Sequence, residues 1–379
     1  MVRLRQLEHG ELYRTLRTPT GIDFSSNDYL GLSGDGRLRE LLAKVALPDT
    51  LTAPASRLLR GHTDHHAALE KRLARFKGTE AALLFSSGYQ ANIGVLTALV
   101  GASDMVLSDE LNHASLIDGI RLCGATKVIY PHLDLTAIEE ELSRPRGSGR
   151  TFLVTESLFS MEGDIAPLDR YAELAKRYDA QLIVDDAHAT GLYGDERGSG
   201  LTERFGVEES VLIVMSTLGK ALGVFGAFVA GSSVVVDYMI NRSRPFVFTT
   251  AQPPLLLAAV TCALDLVEQE TERRTRVHEL TRRFRGILAG QQDVEIRGEG
   301  PIVPIVLGDA KLALRVASTI QDKGFDVRAI RPPTVPAGTS RLRVSIHADQ
   351  SQAQIDALAE EIATAVNQTR GLAAETAEV

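Results

Sequence analysis

The stretch VLIVMSTLGKALG, residues 211–223, decides how the rest of the chain is read. It opens on five apolar residues without alternation, the pattern of a strand buried on both faces. Lys220 follows the strand, with Gly219 beside it and Gly223 three residues on. Glycines remove side chains around the amine and let a flat ligand or another backbone approach. The stretch is not a phosphate-binding loop, because Ala221 follows the lysine, and not an S-x-x-K motif, because Thr217 stands where the serine would be. What remains is a partly desolvated amine of depressed pKa, suited to condensation with an aldehyde.

Working outward, the runs AALLFSS, DMVLSD, KVIYP, TFLVTES, QLIVDDA, VLIVMST and GAFVAG alternate with helical patterns between Ala81 and Ala230. This order predicts an α/β domain with a mainly parallel seven-stranded sheet. Ligands of such sheets collect at the carboxyl ends of the strands. Those ends carry His113, Glu156 with Ser157, Asp185 with His188, and Thr217 with Lys220. The junction SSGYQANIG leads from a strand into a helix with Gly88 at the turn, where backbone N–H groups would receive a phosphate.

Asp185 and Asp186 point to opposite faces of their strand, so they cannot serve one metal centre together. A single carboxylate at a strand end, upstream of an aldehyde-binding lysine, suits the partner of a pyridinium nitrogen: its charge keeps that nitrogen protonated. His113 either opens a helix or lies flat on an aromatic cofactor. His62, Asp64, His65 and His66 read as a solvated helix start and not as a metal site.

Beyond about residue 250 come long helical stretches, strand-like VEIRG, PIVPIVL, VRAI and RLRVSI, a helix near 310–323 and a last helix over 350–367. The expected division is an N-terminal segment 1–30, a large α/β domain 31–265 and a smaller α+β domain 266–379, its final GLAAETAEV frayed. The N-terminal segment should pack on the C-terminal unit or on a second subunit.

With 379 residues, 44% of them hydrophobic, the chain can bury a large core and is no small binding module. A net charge of -8, with basic residues scattered, argues against nucleic acid as the main partner. Cys123 and Cys262 lie far apart, which indicates neither a disulfide framework nor a cysteine zinc site and fits a reducing cytosol. The charged opening MVRLRQLEHGELYRTLR lacks an apolar core, and no stretch approaches the roughly 18 apolar residues of a membrane span, so a soluble cytoplasmic protein is expected.

Taken in order, SSNDYLGL (25–32), FSSGYQAN (85–92), NHAS (112–115), TESLFSMEGDIAPL (155–168), VDDAHATG (184–191) and STLGKALG (216–223) resemble the α-oxoamine synthases, pyridoxal 5'-phosphate (PLP) enzymes of fold type I. The resemblance spans nearly the whole chain. It implies a homodimer with shared active sites that condenses an amino acid with an acyl thioester and releases CO2. By the same resemblance, Lys220 binds the cofactor aldehyde, Asp185 faces the pyridine nitrogen, and His188 and Ser160 lie near the phenolic oxygen. His113 stacks on the ring and meets the substrate. Gly88, Tyr89 and Thr217 hold the cofactor from one subunit, and Thr250 reaches its phosphate from the other. Asn27 and Arg343 handle the amino acid carboxylate and Thr334 lies along the acyl chain. Arg14, with Tyr13 competing for its place, supplies the N-terminal substrate arginine. No metal is implied.

The segment IRPPTVPAGTSRLRVS (330–345) is most similar to the family members that join L-alanine to a pimeloyl thioester in biotin biosynthesis. Glycine-using members such as glycine C-acetyltransferase (2-amino-3-ketobutyrate CoA ligase) are the alternative. One departure is Ala189, where relatives commonly have glycine.

Overall fold

The computed structural model describes residues 4–5, 13–45, 50–145, 147–291 and 294–377. Strand β1 is Ile22–Asp23. Seven strands follow: β2 (Ala81–Phe85), β3 (Met105–Asp109), β4 (Thr126–Tyr130), β5 (Thr151–Glu156), β6 (Ala180–Asp185), β7 (Val211–Thr217) and β8 (Ala227–Gly231). They form one sheet in the order β2-β8-β7-β6-β5-β3-β4, in which β8 runs antiparallel to its neighbours β2 and β7. These are the seven strands the hydrophobic runs predicted. Every residue of β5 is buried, and all of β6 but Gln181, which is why both read as apolar runs instead of alternating ones.

The chain divides into two compact units. The larger comprises Asn27–Ser160 with Ile165–Thr275, and holds the seven-stranded sheet over a core that includes Phe85, Val95, Phe152, Ile183 and Val229. The helix Gly88–Leu99 starts under Ser87, whose side chain accepts from the Gln90 amide, and the helix Ala114–Cys123 starts at His113. Both helix starts follow directly on strand ends, and so bring Gly88 and His113 to the same edge of the sheet.

The smaller unit comprises Met1–Ser26, Met161–Asp164 and Arg276–Val379. Here β9 (Glu295–Ile296), β10 (Ile302–Gly308), β12 (Arg328–Ile330) and β13 (Ser340–Ser345) form an antiparallel sheet in the order β12-β13-β10-β9. Strand β1 pairs in parallel with β11 (Phe325–Asp326), and Phe24 enters a core with Phe284, Val303, Leu342 and Ile355. The N-terminal segment thus packs on the C-terminal residues, through backbone pairing as well as burial. Most of the start of that segment, residues 1–3 and 6–12, lies outside the described residues.

The units meet at other positions than the expected 30/31 and 265/266. Tyr29, Leu30 and Leu32 are buried and belong with the larger unit, which therefore starts at Asn27. At the other boundary, Arg273 donates to the Leu30 carbonyl at 2.9 Å and Arg274 to the Val267 carbonyl at 2.6 Å, tying the first turn after Glu270 to that unit. The long helical stretch breaks there, into Pro254–Gln269 and Thr271–Ala289. The last helix, Gln352–Ala377, runs through most of the stretch expected to fray.

In the histidine-rich helix start, His62, Asp64 and His65 are exposed and Asp64 opens the helix as expected, and only His66 departs. His66 is fully buried, not solvated, and its Nδ1 accepts from the Thr63 amide at 3.3 Å, closing a capping box on the helix Asp64–Lys77. Burial first, then the cations at Arg57 and His62, lower its pKa to about 3. The unfolded chain would protonate this imidazole below its ordinary 6.5, whereas the folded chain keeps it neutral. The stability it contributes is complete above that pH and drains as pH falls toward about 3. His66→Gln should therefore flatten the decline of unfolding free energy between roughly pH 6.5 and 4 in urea titrations, and an unchanged slope would assign that decline to other groups.

Candidate active site

At the carboxyl ends of β5, β6 and β7 the larger unit encloses a cavity of about 200 Å³. Its wall carries Gly88, Tyr89, His113, Asp185, His188, Thr217 and Lys220, seven of the residues expected from the sequence. Ser115, Glu156, Ala187 and Met215 complete it.

Asp185 is 5% exposed and both of its oxygens are engaged. Asn92 Nδ2 donates to Oδ2 at 2.7 Å and the Ala187 amide to Oδ1 at 3.0 Å. Asn92 Nδ2 also donates to Ser115 Oγ at 2.9 Å, and Ser115 Oγ lies 2.7 Å from His113 Nδ1. Asp185 and His113 are thereby joined through two side chains. Desolvation lowers the His113 pKa, with the Asp185 anion opposing and the Lys220 cation adding to the fall. On the opposite face of the strand, Asp186 turns away from the cavity to Lys77, Nζ to Oδ2 2.7 Å. The alternation read from the sequence is realised: one aspartate serves the cavity and the other the interior.

His188 is 6% exposed, with Nδ1 2.7 Å from Tyr29 Oη. That hydroxyl donates in turn to Asn27 Oδ1 at 3.2 Å, so Asn27 is linked to the cavity wall through Tyr29. Thr217 Oγ1 donates to the Ala187 carbonyl at 3.3 Å. Gly88 opens its helix so close to β7 that a Cβ would stand 2.7 Å from Thr217 Cγ2, and it lines the cavity at a helix N-terminus, where a phosphate is favoured. The two glycines near Lys220 play different parts. A Cβ on Gly219 would meet only the Val224 carbonyl oxygen, at an unstrained 3.7 Å, whereas Gly223 takes φ +66° and a Cβ on it would lie 2.5 Å from the Ser33 amide. Gly223 answers to a backbone contact and not to ligand space.

Ser160 is 9% exposed and its amide donates to Glu156 Oε2 at 3.3 Å, but it does not line this cavity. Thr250 is exposed, bridges to Ser56 and lies outside the cavity. Arg14, Thr334 and Arg343 belong to the smaller unit. There Arg14 Nη2 donates to Thr334 Oγ1 at 3.0 Å in a cavity of about 800 Å³ that Tyr13 and Arg17 also line, and buried Arg343 donates to Ser345 Oγ at 3.0 Å.

Asn92, Ser115 and Tyr29 were missed as site residues. Each lies inside a motif quoted above, FSSGYQAN, NHAS or SSNDYLGL, and polar type within such a segment was the available signal. Glu156 was seen at a strand end without a role.

A buried carboxylate, a lysine amine, an imidazole and a helix start at one cavity form the donor set that a phosphorylated pyridine aldehyde needs. The comparisons agree. Residues 19–362 match the family Aminotransferase class I and II. The chain is 45% identical over 368 residues to the 8-amino-7-oxononanoate synthase of Geobacter sulfurreducens, covering 93% of this chain and 94% of that one. It is likewise 45% identical to 8-amino-7-oxononanoate synthase 2 of Bacillus subtilis, over 94% of each chain. Among solved structures, serine palmitoyltransferase from S. paucimobilis with bound PLP–myriocin superposes with a TM-score of 0.88 at 28% identity, covering 97% of this chain and 96% of that one. The 8-amino-7-oxononanoate synthase of Francisella tularensis superposes with a TM-score of 0.78 at 30% identity, over 92% of this chain and 98% of that one. The chain belongs to the class I and II aminotransferase family, in its α-oxoamine synthase branch, and is a PLP-dependent, decarboxylating acyltransferase.

Proposed function

We propose that this chain is an 8-amino-7-oxononanoate synthase: it condenses L-alanine with a pimeloyl thioester, carried by coenzyme A or a carrier protein, and releases 8-amino-7-oxononanoate, CO2 and the free carrier in biotin biosynthesis. The observation that carries this reading is the 45% identity to synthases of that name over nearly the full length of both chains. The serine palmitoyltransferase superposes with a TM-score of 0.88 but at 28% identity, so it is the sequence identity, more than the overall backbone, that supports this reading. The enzyme acts in the cytoplasm as a homodimer in which Thr250 of the partner subunit reaches the cofactor phosphate.

Bound PLP supplies the electron sink for forming the carbon nucleophile and for losing CO2. The chain supplies everything else. Lys220 Nζ would hold the cofactor aldehyde covalently and, as a free amine, would accept the proton from the substrate Cα. Asp185, held by Asn92 and the Ala187 amide, keeps a proton on the pyridine nitrogen. His113, on the cavity wall, would cover one face of the ring and keep water from it. Gly88, Tyr89 and Thr217 seat the phosphate end, while His188 and Ser160 serve the phenolic oxygen. Asn27 and Arg343 orient the amino acid carboxylate, and Arg14 and Thr334 receive the acyl substrate.

Three measurements test this. The purified protein loaded with PLP should convert L-alanine and pimeloyl-CoA or a pimeloyl carrier protein to 8-amino-7-oxononanoate with one CO2 per product. Preferential turnover of glycine with a short acyl-CoA would instead make it a glycine C-acetyltransferase. Lys220→Ala should remove both turnover and the visible absorbance of covalently bound cofactor, and turnover at a comparable rate would exclude Lys220 from its role. Asp185→Asn preserves shape and removes charge, so it should retain PLP yet lose on the order of a hundredfold or more in kcat; kcat within a few-fold of wild type would detach Asp185 from the ring nitrogen.

A further inference from the structure

Glu156 closes β5 in direct register with Asp185, the last residue of β6. Register partners in a parallel pair project to the same face, so two carboxyl groups stand side by side at one cavity. Lys220, His113 and His188 are the other titratable groups on that wall, with the Tyr89 phenol at its rim. Glu156 is 2% exposed; Oε2 accepts from the Ser160 amide at 3.3 Å, while Oε1 is buried without a hydrogen-bond partner. An orphan oxygen on a buried carboxyl group is costly, and in a ligand cavity it marks a place for a ligand atom.

The two carboxyl groups are not equivalent. Asp185 receives a strong donor on each oxygen, at 2.7 and 3.0 Å, whereas Glu156 has the Ser160 amide at a long 3.3 Å and the His113 amide as a further weak donor. Adjacent carboxyl groups cannot both ionise cheaply, so the charge settles where the donors are and the shared proton settles on the other group. Burial first, and then the Asp185 anion, drive Glu156 well above the usual carboxyl range, with Lys220 and the His113 and Ser160 amides opposing.

Resting on the PLP-dependent function proposed above, we propose that Glu156 is a further binding residue of the site: an uncharged carboxylic acid whose Oε1 donates a hydrogen bond to an anionic oxygen entering the cavity, while Oε2 fixes the turn that bears Ser160. That oxygen belongs either to the cofactor's phenolic group or to the substrate. In either case Glu156 leaves Asp185 as the single negative charge facing the ring.

The test compares two variants of the PLP-loaded enzyme, after circular dichroism melting confirms that each is folded. Glu156→Gln keeps the shape and a donor; Glu156→Leu keeps neither oxygen. The glutamine variant should retain the cofactor's visible spectrum and turnover within about threefold, while the leucine variant should lose tenfold or more, the scale of one lost buried hydrogen bond. If the oxygen is the cofactor's, Glu156→Leu moves the pH at which the substrate-free visible spectrum changes. If it is the substrate's, that spectrum stays as wild type and KM for L-alanine or the pimeloyl thioester rises tenfold or more. Infrared difference spectra at neutral pH should show a protonated-carboxyl band in the wild type that Glu156→Gln removes. Glutamine and leucine variants equally impaired would mean that a carboxylate is needed, and would overturn the proposal. So would a leucine variant indistinguishable from wild type, or no band lost in the glutamine variant. Colour and turnover of the wild type in the same assays separate these outcomes from a failure of the function itself.

Discussion

Lys77 and Asp186 are both fully buried and lie 2.7 Å apart, and the cavity side of the sheet is built on what this pair holds. Asp186 Oδ1 takes the Ser157 hydroxyl at 2.5 Å from the end of β5 and the Leu201 amide at 3.2 Å. Lys77 Nζ spends its remaining donors on Thr190 Oγ1 at 3.0 Å and on the Ser199 carbonyl. Thr190 passes the connection to Ser216 on β7 at 2.8 Å. One ion pair thus ties together the ends of β5, β6 and β7, the three strands that deliver Glu156, Asp185 and Lys220. Burial pulls the Lys77 pKa down and Asp186 resists, so the pair stands or falls as a unit. Taking away one partner of such a pair costs about 3–5 kcal/mol because the other is left charged in the interior.

The alternation of a strand gives that arrangement its functional meaning. Two successive aspartates are sent to opposite faces, one to the protein interior and one to the cavity. Each would be misplaced by a one-residue slip, which would put the internal anion into the cavity and leave Lys77 without its partner. The buried pair therefore fixes the register on which the position of Asp185 depends.

This much was legible in the sequence because it rests on local pattern. The seven strands announced themselves as apolar runs, and the polar residues at their ends could be read off in order. The histidines and carboxylates whose surroundings come from distant segments could not. Lys77 sits in DHHAALEKRLARFK like any solvated lysine, and only the loop around Ser199 and the far end of β6 bury it. His66 looks as polar as His65, yet packing against the turn at Thr63 makes it interior. Gly223 beside the lysine invited a ligand, while the contact that demands it is with the backbone at Leu32 and Ser33. The domain boundaries slipped for the same reason: Arg273 and Arg274 bind carbonyls on the other side of a helix break that composition does not mark.

The path from Asp185 to His113 shows how a site can set proton positions with neutral groups. Asn92 gives both hydrogens of its amide away, one to Asp185 Oδ2 and one to Ser115 Oγ. His113 Nδ1 accepts from the Ser115 amide at 3.2 Å, and with that nitrogen an acceptor the Ser115 hydroxyl, 2.7 Å away, is the group that donates to it. A ring nitrogen that accepts twice carries no proton, so the neutral imidazole bears its hydrogen on Nε2. Desolvation favours that neutral form over the imidazolium. The Ser115 amide, which donates to Nδ1, sets the tautomer, and Asn92 joins this pair to Asp185 without adding a charge that titrates. The cavity wall therefore places an uncharged imidazole next to Asp185, joined to it through two neutral side chains, which is the arrangement the proposed role of Asp185 toward a pyridine nitrogen requires.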